Sequence, residues 1–256
     1  RRRGQLHGRP GWRSPLRDRH RARRHPLRTV VADADAVAAG MPPELLRLAD
    51  VTVRRLRTDD LEDYLASLER SREHLAVWEP WAAAPFRRAD VERALLDVDD
   101  AWRTGRAQVF GVWRDGRFAG SCGLWPTEHP DVRTIGYWTD VDHVERGVAG
   151  AAATALTFAG FALSGIDTLE IHCDVAHQVS ARIPTRLGYR VAETRVRVLG
   201  VPAEAGRVLV FRLAREHYRK TWAWRRWQGG AGRLTVRRVV ASSHGPTDLA
   251  RPRQHR

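Results

Sequence analysis

From Gly147 to Ile166 the chain runs for twenty residues without a charge. That run restricts the fold more than any other feature, since it must lie in lipid or be buried by other parts of the chain. It is long enough to cross the ~30 Å hydrocarbon layer of a membrane. Its content argues against a span. Seven of the twenty are Ala, four are Gly, and Thr154, Thr157 and Ser164 are polar. Only Val148, Leu156, Phe158, Phe161, Leu163 and Ile166 are large and apolar. Ala and Gly gain little free energy in lipid, so insertion is poorly driven. At helical spacing Leu156, Ala159 and Leu163 fall on one side and Thr154, Thr157 and Ser164 on another. The expectation is a helix pressed between the layers of a soluble domain.

The start of the run admits a second reading. Arg146-Gly147-Val148-Ala149-Gly150-Ala151 lies between a strand and this helix. A helix N-terminus offers unpaired N–H groups and the positive end of its dipole, and small residues let a diphosphate come close. The pattern matches neither GxGxxG nor GxxxxGK[ST], and the same residues suit a tight strand-to-helix turn.

The net charge of +14 is concentrated at the ends. Arg1–Gly40 holds 11 Arg against 3 Asp, and His217–Arg256 holds 10 Arg or Lys against 1 Asp, leaving Met41–Glu216 at −3. The first segment is rich in Arg, Gly and Pro and is expected to be a disordered basic extension over 1–40. The chain's sole Met, Met41, stands just after it and before the patterned region, which favours upstream sequence without a role over a nucleic-acid arm. The tail over 219–256 interleaves Trp222, Trp224 and Trp227 with Arg225 and Arg226 and is expected to extend beyond the domain. Arg–Trp mixtures also suit membrane interfaces and base stacking. Cys122 and Cys173 form neither a disulfide framework nor a metal motif, and a reducing cytoplasm suits them. No metal is expected.

Between the tails the pattern is orderly. Val51 to Leu56 alternates as a strand, and Thr58 is the expected N-cap of a helix carrying Leu61, Tyr64, Leu65 and Leu68. An aromatic, proline-broken loop holds Trp78, Pro80 and Trp81, and Asp90 to Trp102 predicts a second helix. Two apolar runs flank Arg114-Asp115-Gly116-Arg117, a hairpin signal. Strands follow at Arg133 to Thr139 and through "TLEIHCDV", then a short helix from Ser180 to Leu187 that stops at Gly188. "YRVAETRVRV" and "GRVLVFRLA" close the domain as antiparallel neighbours. The predicted order is β-α-α-β-β-β-α-β-α-β-β in an α+β layer.

Gly147-Val148-Ala149, after Ile135-Gly136-Tyr137-Trp138 and before "LEIHCDVAHQVSARIPTRLGYR", resembles the acetyl-CoA site of the GNAT N-acetyltransferase superfamily. "SREHLAVWEPW" and "IGYW" resemble its ribosomal-protein N-terminal (alanine) acetyltransferase branch. The likeness covers about Leu48 to Tyr218. It implies a mixed, mostly antiparallel sheet flanked by helices on both faces, and a domain over 41–218. It implies an acyltransferase that moves acetyl from acetyl-CoA to a primary amine by direct attack on the thioester.

The resemblance also assigns residues. The family loop reads Gln/Arg-x-x-Gly-x-Gly/Ala, so Gly147 and Ala149 match and Val144 departs from the leading position. The pyrophosphate is expected on the amides of Gly147, Val148, Ala149, Gly150 and Ala151, with help from Arg146, and the acetyl end near the main chain of Trp138 and Thr139. Asn-x-x-Ser becomes His177-Gln178-Val179-Ser180, with His177 still a ring donor and Ser180 placed to protonate the leaving thiolate. The base that relatives often carry before Ile-Gly-Tyr-Trp is absent, because that position is Thr134. Glu170 and His172, which share one face of their strand, or Glu79 are the substitutes considered, beside a water relay; each also reads as a structural or solvated residue. Tyr189 reads as core packing. Trp78, Glu79 and Trp81 are expected to wall the acceptor pocket, with Glu73 or Glu79 attracting an ammonium, although the tryptophans equally suit loop anchoring. The chain is expected to act as a monomer or homodimer. Val144, Thr134 and His177 keep open a CoA-binding module without turnover, and the tails a nucleic-acid-associated protein.

Overall fold

The computed structural model of the protein describes residues 29–226 and 233–238. Eleven strands among the described residues form one sheet, in the order β10-β11-β1-β2-β3-β4-β5-β6-β7-β9-β8. In chain order they are β1 (Thr29–Asp33), β2 (Leu45–Leu48), β3 (Val51–Arg55), β4 (Gln108–Arg114), β5 (Arg117–Pro126), β6 (Val132–Thr139), β7 (Thr168–Asp174), β8 (Arg190–Val196), β9 (Arg207–Ala214), β10 (Trp222–Arg226) and β11 (Arg233–Arg238). The helices are α1 (Ala34–Ala38), α2 (Leu61–Ala76), α3 (Arg88–Arg103), α4 (Val148–Ala162), α5 (Gln178–Leu187) and α6 (Arg215–Thr221).

From β3 to β9 the order is the one read from the sequence. The β4–β5 hairpin turns at Asp115 (φ 50°) and Gly116 (φ 77°), with Arg114 paired to Arg117, as an Asp-Gly turn should. Gly188 (φ 92°) stops α5 in the left-handed conformation that favours glycine. Thr58 is not a cap. A 3-10 turn (Thr58–Asp60) precedes α2, and the Asp60 carboxylate accepts from the Arg57 N–H at 2.9 Å while pairing with Arg54.

The boundaries differ at both ends. The 1–40 extension read as disordered contains β1 and α1, and Val30 and Ala32 of β1 are buried in the core. "TVVAD" is a short apolar strand that the arginine-rich sequence before it concealed. The 219–256 tail likewise contains β10 and β11, paired to each other and to β1. Residues 1–28, 227–232 (with Trp227) and 239–256 lie outside the described residues, and with them most of the nucleic-acid reading.

α4 is buried on all sides, not along one stripe. Thr154 and Thr157 are as buried as Leu156. Their hydroxyls turn back onto their own helix, to the carbonyls of Gly150 and Ala153 at 2.7 Å, and Thr157 also meets the Tyr189 hydroxyl at 2.8 Å. That local bonding lets a polar side chain face a core. Gly160 lets the helix sit on the sheet, because a Cβ there would come within 2.7 Å of Leu169. The C-terminal carbonyls are closed by Arg215, whose guanidinium donates to Phe161, Leu163 and Ile166. No helix among the described residues is long and apolar enough to cross a membrane.

The two sheet faces carry different contents. Ile135, Leu169, Ile171 and Cys173 join α4 and Leu187 of α5 in the main core. On the other face Trp113, Phe118 and Trp138 meet Leu61 and Tyr64 of α2 and Leu95 of α3.

Candidate functional site

The site centres on the one parallel pairing among the described strands. β6 and β7 are in register from Val132↔Thr168 to Ile135↔Ile171 and no further, although β6 runs to Thr139 and β7 to Asp174. Beyond Ile135 the two strands part. Strand alternation sends Tyr137 and Thr139 to the α4 face, and Gly136 and Trp138 to the α2–α3 face.

β6 leads through Asp140 into the loop before α4. Asp140 is fully buried. Its carboxylate accepts from Ser67 and Arg70 of α2 and, at 2.9 Å, from the Asp142 N–H, while Ser71 accepts from the Val141 N–H at 3.0 Å. Burial alone would raise the Asp140 pKa, but the bonds from Arg70, Ser67 and the Asp142 N–H outweigh it and hold the carboxyl below its usual range. The turn is thereby fastened to α2.

The loop then makes two left-handed steps, Glu145 (φ 59°) and Gly147 (φ 83°). Arg114, itself paired to Asp50, donates to the Arg146 carbonyl at 2.7 Å and fixes the loop from below. The first bond of α4 is Ala151 N–H to the Gly147 carbonyl, so the N–H groups of Val148, Ala149 and Gly150 precede the ladder. No acidic residue stands in the first turn of α4. A Cβ built at Gly147 meets nothing within 4 Å, which leaves the approach to these amides open. The Thr139 hydroxyl is buried without a hydrogen-bond partner among the described residues. An open set of helix amides and an unfilled hydroxyl at the parted strands fit a diphosphate joined to an extended polar arm. Arg146 is exposed at the mouth, and Val144 is half-buried beside it.

The remaining expected residues fall into two groups. On the α4 face, the Ser180 hydroxyl of α5 lies 3.5 Å from the Tyr137 hydroxyl, whose pKa burial pushes up to about 12. His177 precedes α5 and is stacked on Trp78 at 4.1 Å; burial lowers its pKa. Trp81 packs near Trp138 at 6.5 Å and donates to Glu79 at 2.8 Å. Burial raises the Glu79 pKa against that bond. The aromatic loop therefore touches both halves of the candidate donor site, Trp78 on His177 and Trp81 on Trp138.

Glu170 stands apart from Ser180, on the opposite face of the sheet. It is buried between Arg212 of β9 (2.6 Å) and His172 (2.7 Å). Tyr189 is a core residue, its phenol bonded to Thr157 and pushed above the ordinary range by burial.

Sequence reasoning missed Asp140, Arg114, Arg212 and Trp125. A signal existed for the last: Gly111-Val112-Trp113 and Gly123-Leu124-Trp125 repeat a Gly-x-Trp pattern on adjacent strands. Each indole folds back over its own glycine, 2.3 Å and 2.6 Å from a Cβ built there. Trp113 is covered by Arg54 at 3.6 Å and by Phe118, whereas Trp125 keeps 40% of its surface exposed.

A family profile described as an acetyltransferase (GNAT) domain matches residues 50–190. No curated protein matches the sequence significantly. Among solved structures, the fold is similar to RimL, a ribosomal L7/L12 alpha-N-protein acetyltransferase in complex with coenzyme A, with TM-score 0.61 at 14% identity over 66% of this chain and 96% of that one. It is similar to the ribosomal-protein-S5-alanine acetyltransferase of Vibrio fischeri, with TM-score 0.61 at 18% identity over 68% and 98%. It is also similar to the microcin C7 self-immunity acetyltransferase MccE in complex with acetyl-CoA and AMP, with TM-score 0.59 at 14% identity over 65% and 93%. The profile spans more than half of the chain, and the chain belongs to the GNAT acetyltransferase family.

Proposed function

We propose that the protein transfers acetyl from acetyl-CoA to a primary amine, a protein N-terminus or a small-molecule amine, in a reducing cytoplasm that keeps the two buried thiols free. The observation that supports this reading is that the end of β6, where β6 parts from β7, leads within a few residues into the open amides of α4. Acetyl-CoA supplies an activated acetyl group on sulfur. Gly147, Val148, Ala149, Gly150 and Ala151 are proposed to hold its pyrophosphate, with Arg146 adding charge where Val144 offers no donor. The main chain of Trp138 and Thr139 is proposed to lie along the acetyl end. Ser180, with the neutral Tyr137 phenol beside it, is proposed to donate to the departing sulfur. Trp78, Glu79 and Trp81 then border the acceptor, with Glu79 as its anionic element.

The second reading, a CoA-binding module without turnover, is favoured by the Val144, Thr134 and His177 departures. Mass spectrometry after incubation with labelled acetyl-CoA separates the two, using peptides ending in serine or alanine and a panel of small amines. Acetylated product supports transfer; binding without product on any acceptor supports the module. Gly147→Glu puts a carboxylate where phosphate charge is expected, and acetyl-CoA affinity measured by calorimetry should fall by at least about a hundredfold, two decades of roughly 1.4 kcal/mol each. Unchanged affinity would place the cradle elsewhere.

A further inference from the structure

Acetylation of an amine releases a proton, and the residue before Ile135-Gly136-Tyr137-Trp138 is Thr134, which cannot take it. The register puts Glu170 directly beside Thr134 on the neighbouring strand. Glu170 itself is poorly suited to take the proton. It is only 4% exposed, and both of its oxygens are occupied, one by Arg212 and the other by His172. Burial pushes its pKa up, but the bonds from Arg212 and His172 more than offset that and keep it ionised. A fixed, ionised carboxylate against one ring nitrogen is the arrangement that orients an imidazole as a base.

The geometry points to His172 as the proton acceptor, with Glu170 and Arg212 as positioning residues; this rests on the amine-transfer reading above. Four observations support it. His172 is the first β7 residue past the last β6–β7 register pair, so it stands at the opening between the strands. Its side chain is 30% exposed while its Nε2 is 2.7 Å from Glu170, which leaves Nδ1 as the lone-pair nitrogen when Nε2 carries the hydrogen. It lies on the α2–α3 face, the face of Trp138, away from Ser180, so acid and base approach the reacting carbon from opposite sides of the sheet. Across the gap β6 presents Gly136, over which the Trp125 ring lies, 3.0 Å from a Cβ built at that glycine. The half-exposed indole thus covers the β6 position next to the last β6–β7 register pair.

The charged groups around the imidazole are Glu170 on its own strand, Arg212 on β9, and Glu193 and Arg195 on β8, with Glu193 bonded to Arg212 at 2.7 Å. The facing positions on β6 and β5, Thr134, Gly136 and Trp125, carry no charge. An ammonium gives one proton to His172 Nδ1, and the freed lone pair attacks the carbonyl carbon. As the C–N bond forms, the C–S bond breaks. The sulfur leaves with the bonding pair and takes a proton from Ser180, which regains one from the second proton shed by nitrogen. The imidazolium then returns its proton to water.

The test compares the full chain with His172→Gln and Glu170→Gln, using acetyl-CoA with serine-ended and alanine-ended peptides. His172→Gln should lower kcat by about tenfold or more and flatten the acid limb of the pH profile, with acetyl-CoA affinity unchanged. Glu170→Gln no longer fixes the ring through a carboxylate, so it should lower kcat with KM for acetyl-CoA unchanged, and Glu170→Asp should restore part of the rate. Histidine ring NMR, with the His172 signal identified by its loss in His172→Gln, should show the hydrogen held on Nε2 in the wild-type chain and a mixture of tautomers in Glu170→Gln, without any acceptor present. A His172→Gln chain that keeps its rate and acid limb overturns the assignment, as does a His172 tautomer that is the same in Glu170→Gln. A wild-type chain that binds acetyl-CoA and acetylates neither peptide overturns the transfer reading, and this assignment with it.

Discussion

At the scale of single residues, glycines control how closely the strands and the loop approach one another. Gly120 has φ 143°, and a Cβ there would lie 2.3 Å from the Trp138 carbonyl. Gly120→Ala should therefore push β6 off β5 beside Trp138, with a stability loss of about 2 kcal/mol or more. A lower urea midpoint, accompanied by loss of transfer, is the expected measurement. Gly147 has the same kind of backbone but open space in front of it. Gly147→Ala should then cost only about 1 kcal/mol of stability, from the left-handed conformation alone, while still weakening acetyl-CoA binding. The contrast between the two alanine variants separates steric from conformational need.

Between elements, buried charge takes over from backbone shape. Asp140 joins the end of β6 to α2, and its depressed pKa fixes the sign of its effect on acid stability. A carboxyl with a lowered folded pKa stabilises above its unfolded value and loses that contribution as pH falls through the folded one. Urea midpoints should therefore drop between about pH 5 and pH 2, and Asp140→Asn should show a smaller drop from a lower starting stability. At the far end of α4, Arg215→Met leaves three carbonyls without their donor, and a loss of about 2–3 kcal/mol in chemical denaturation is expected. Much of this level was legible in the sequence. The β3-to-β9 order, the Asp115-Gly116 hairpin and the Gly188 stop each follow from local pattern. Asp140 and Arg215 were not legible, because each meets its partners across long stretches of chain and no spacing rule links Asp140 to Ser67 or Arg215 to Phe161. The face of α4 was misread for a related reason: Thr154 and Thr157 look polar until their hydroxyls are found bonded to the turn before them.

For the whole molecule, the sheet extends well past the family domain. β1 was hidden because five residues of apolar strand followed an arginine-rich segment, and composition averaged over forty residues hides so short an element. Its Val30 is fully buried. Val30→Asp should lower the unfolding midpoint by several kcal/mol equivalent, as a buried unpaired charge does, and a midpoint equal to wild type would detach β1 from the fold. Of the candidate site, the loop, Ser180 and the aromatic residues were named in the sequence through resemblance; Arg212 and Trp125 were not, since their positions beside it depend on strand register.

The parting of β6 from β7 gives this sheet an edge in its interior. Alternate amides and carbonyls of Gly136–Thr139 face a gap that no strand fills, and an unpaired row of that kind ordinarily invites another chain to pair with it. Here the row is only four residues long, shorter than a typical strand, so it offers few bonds to a second protein's strand; slow hydrogen exchange should appear at these amides only when an extended partner lies in the gap.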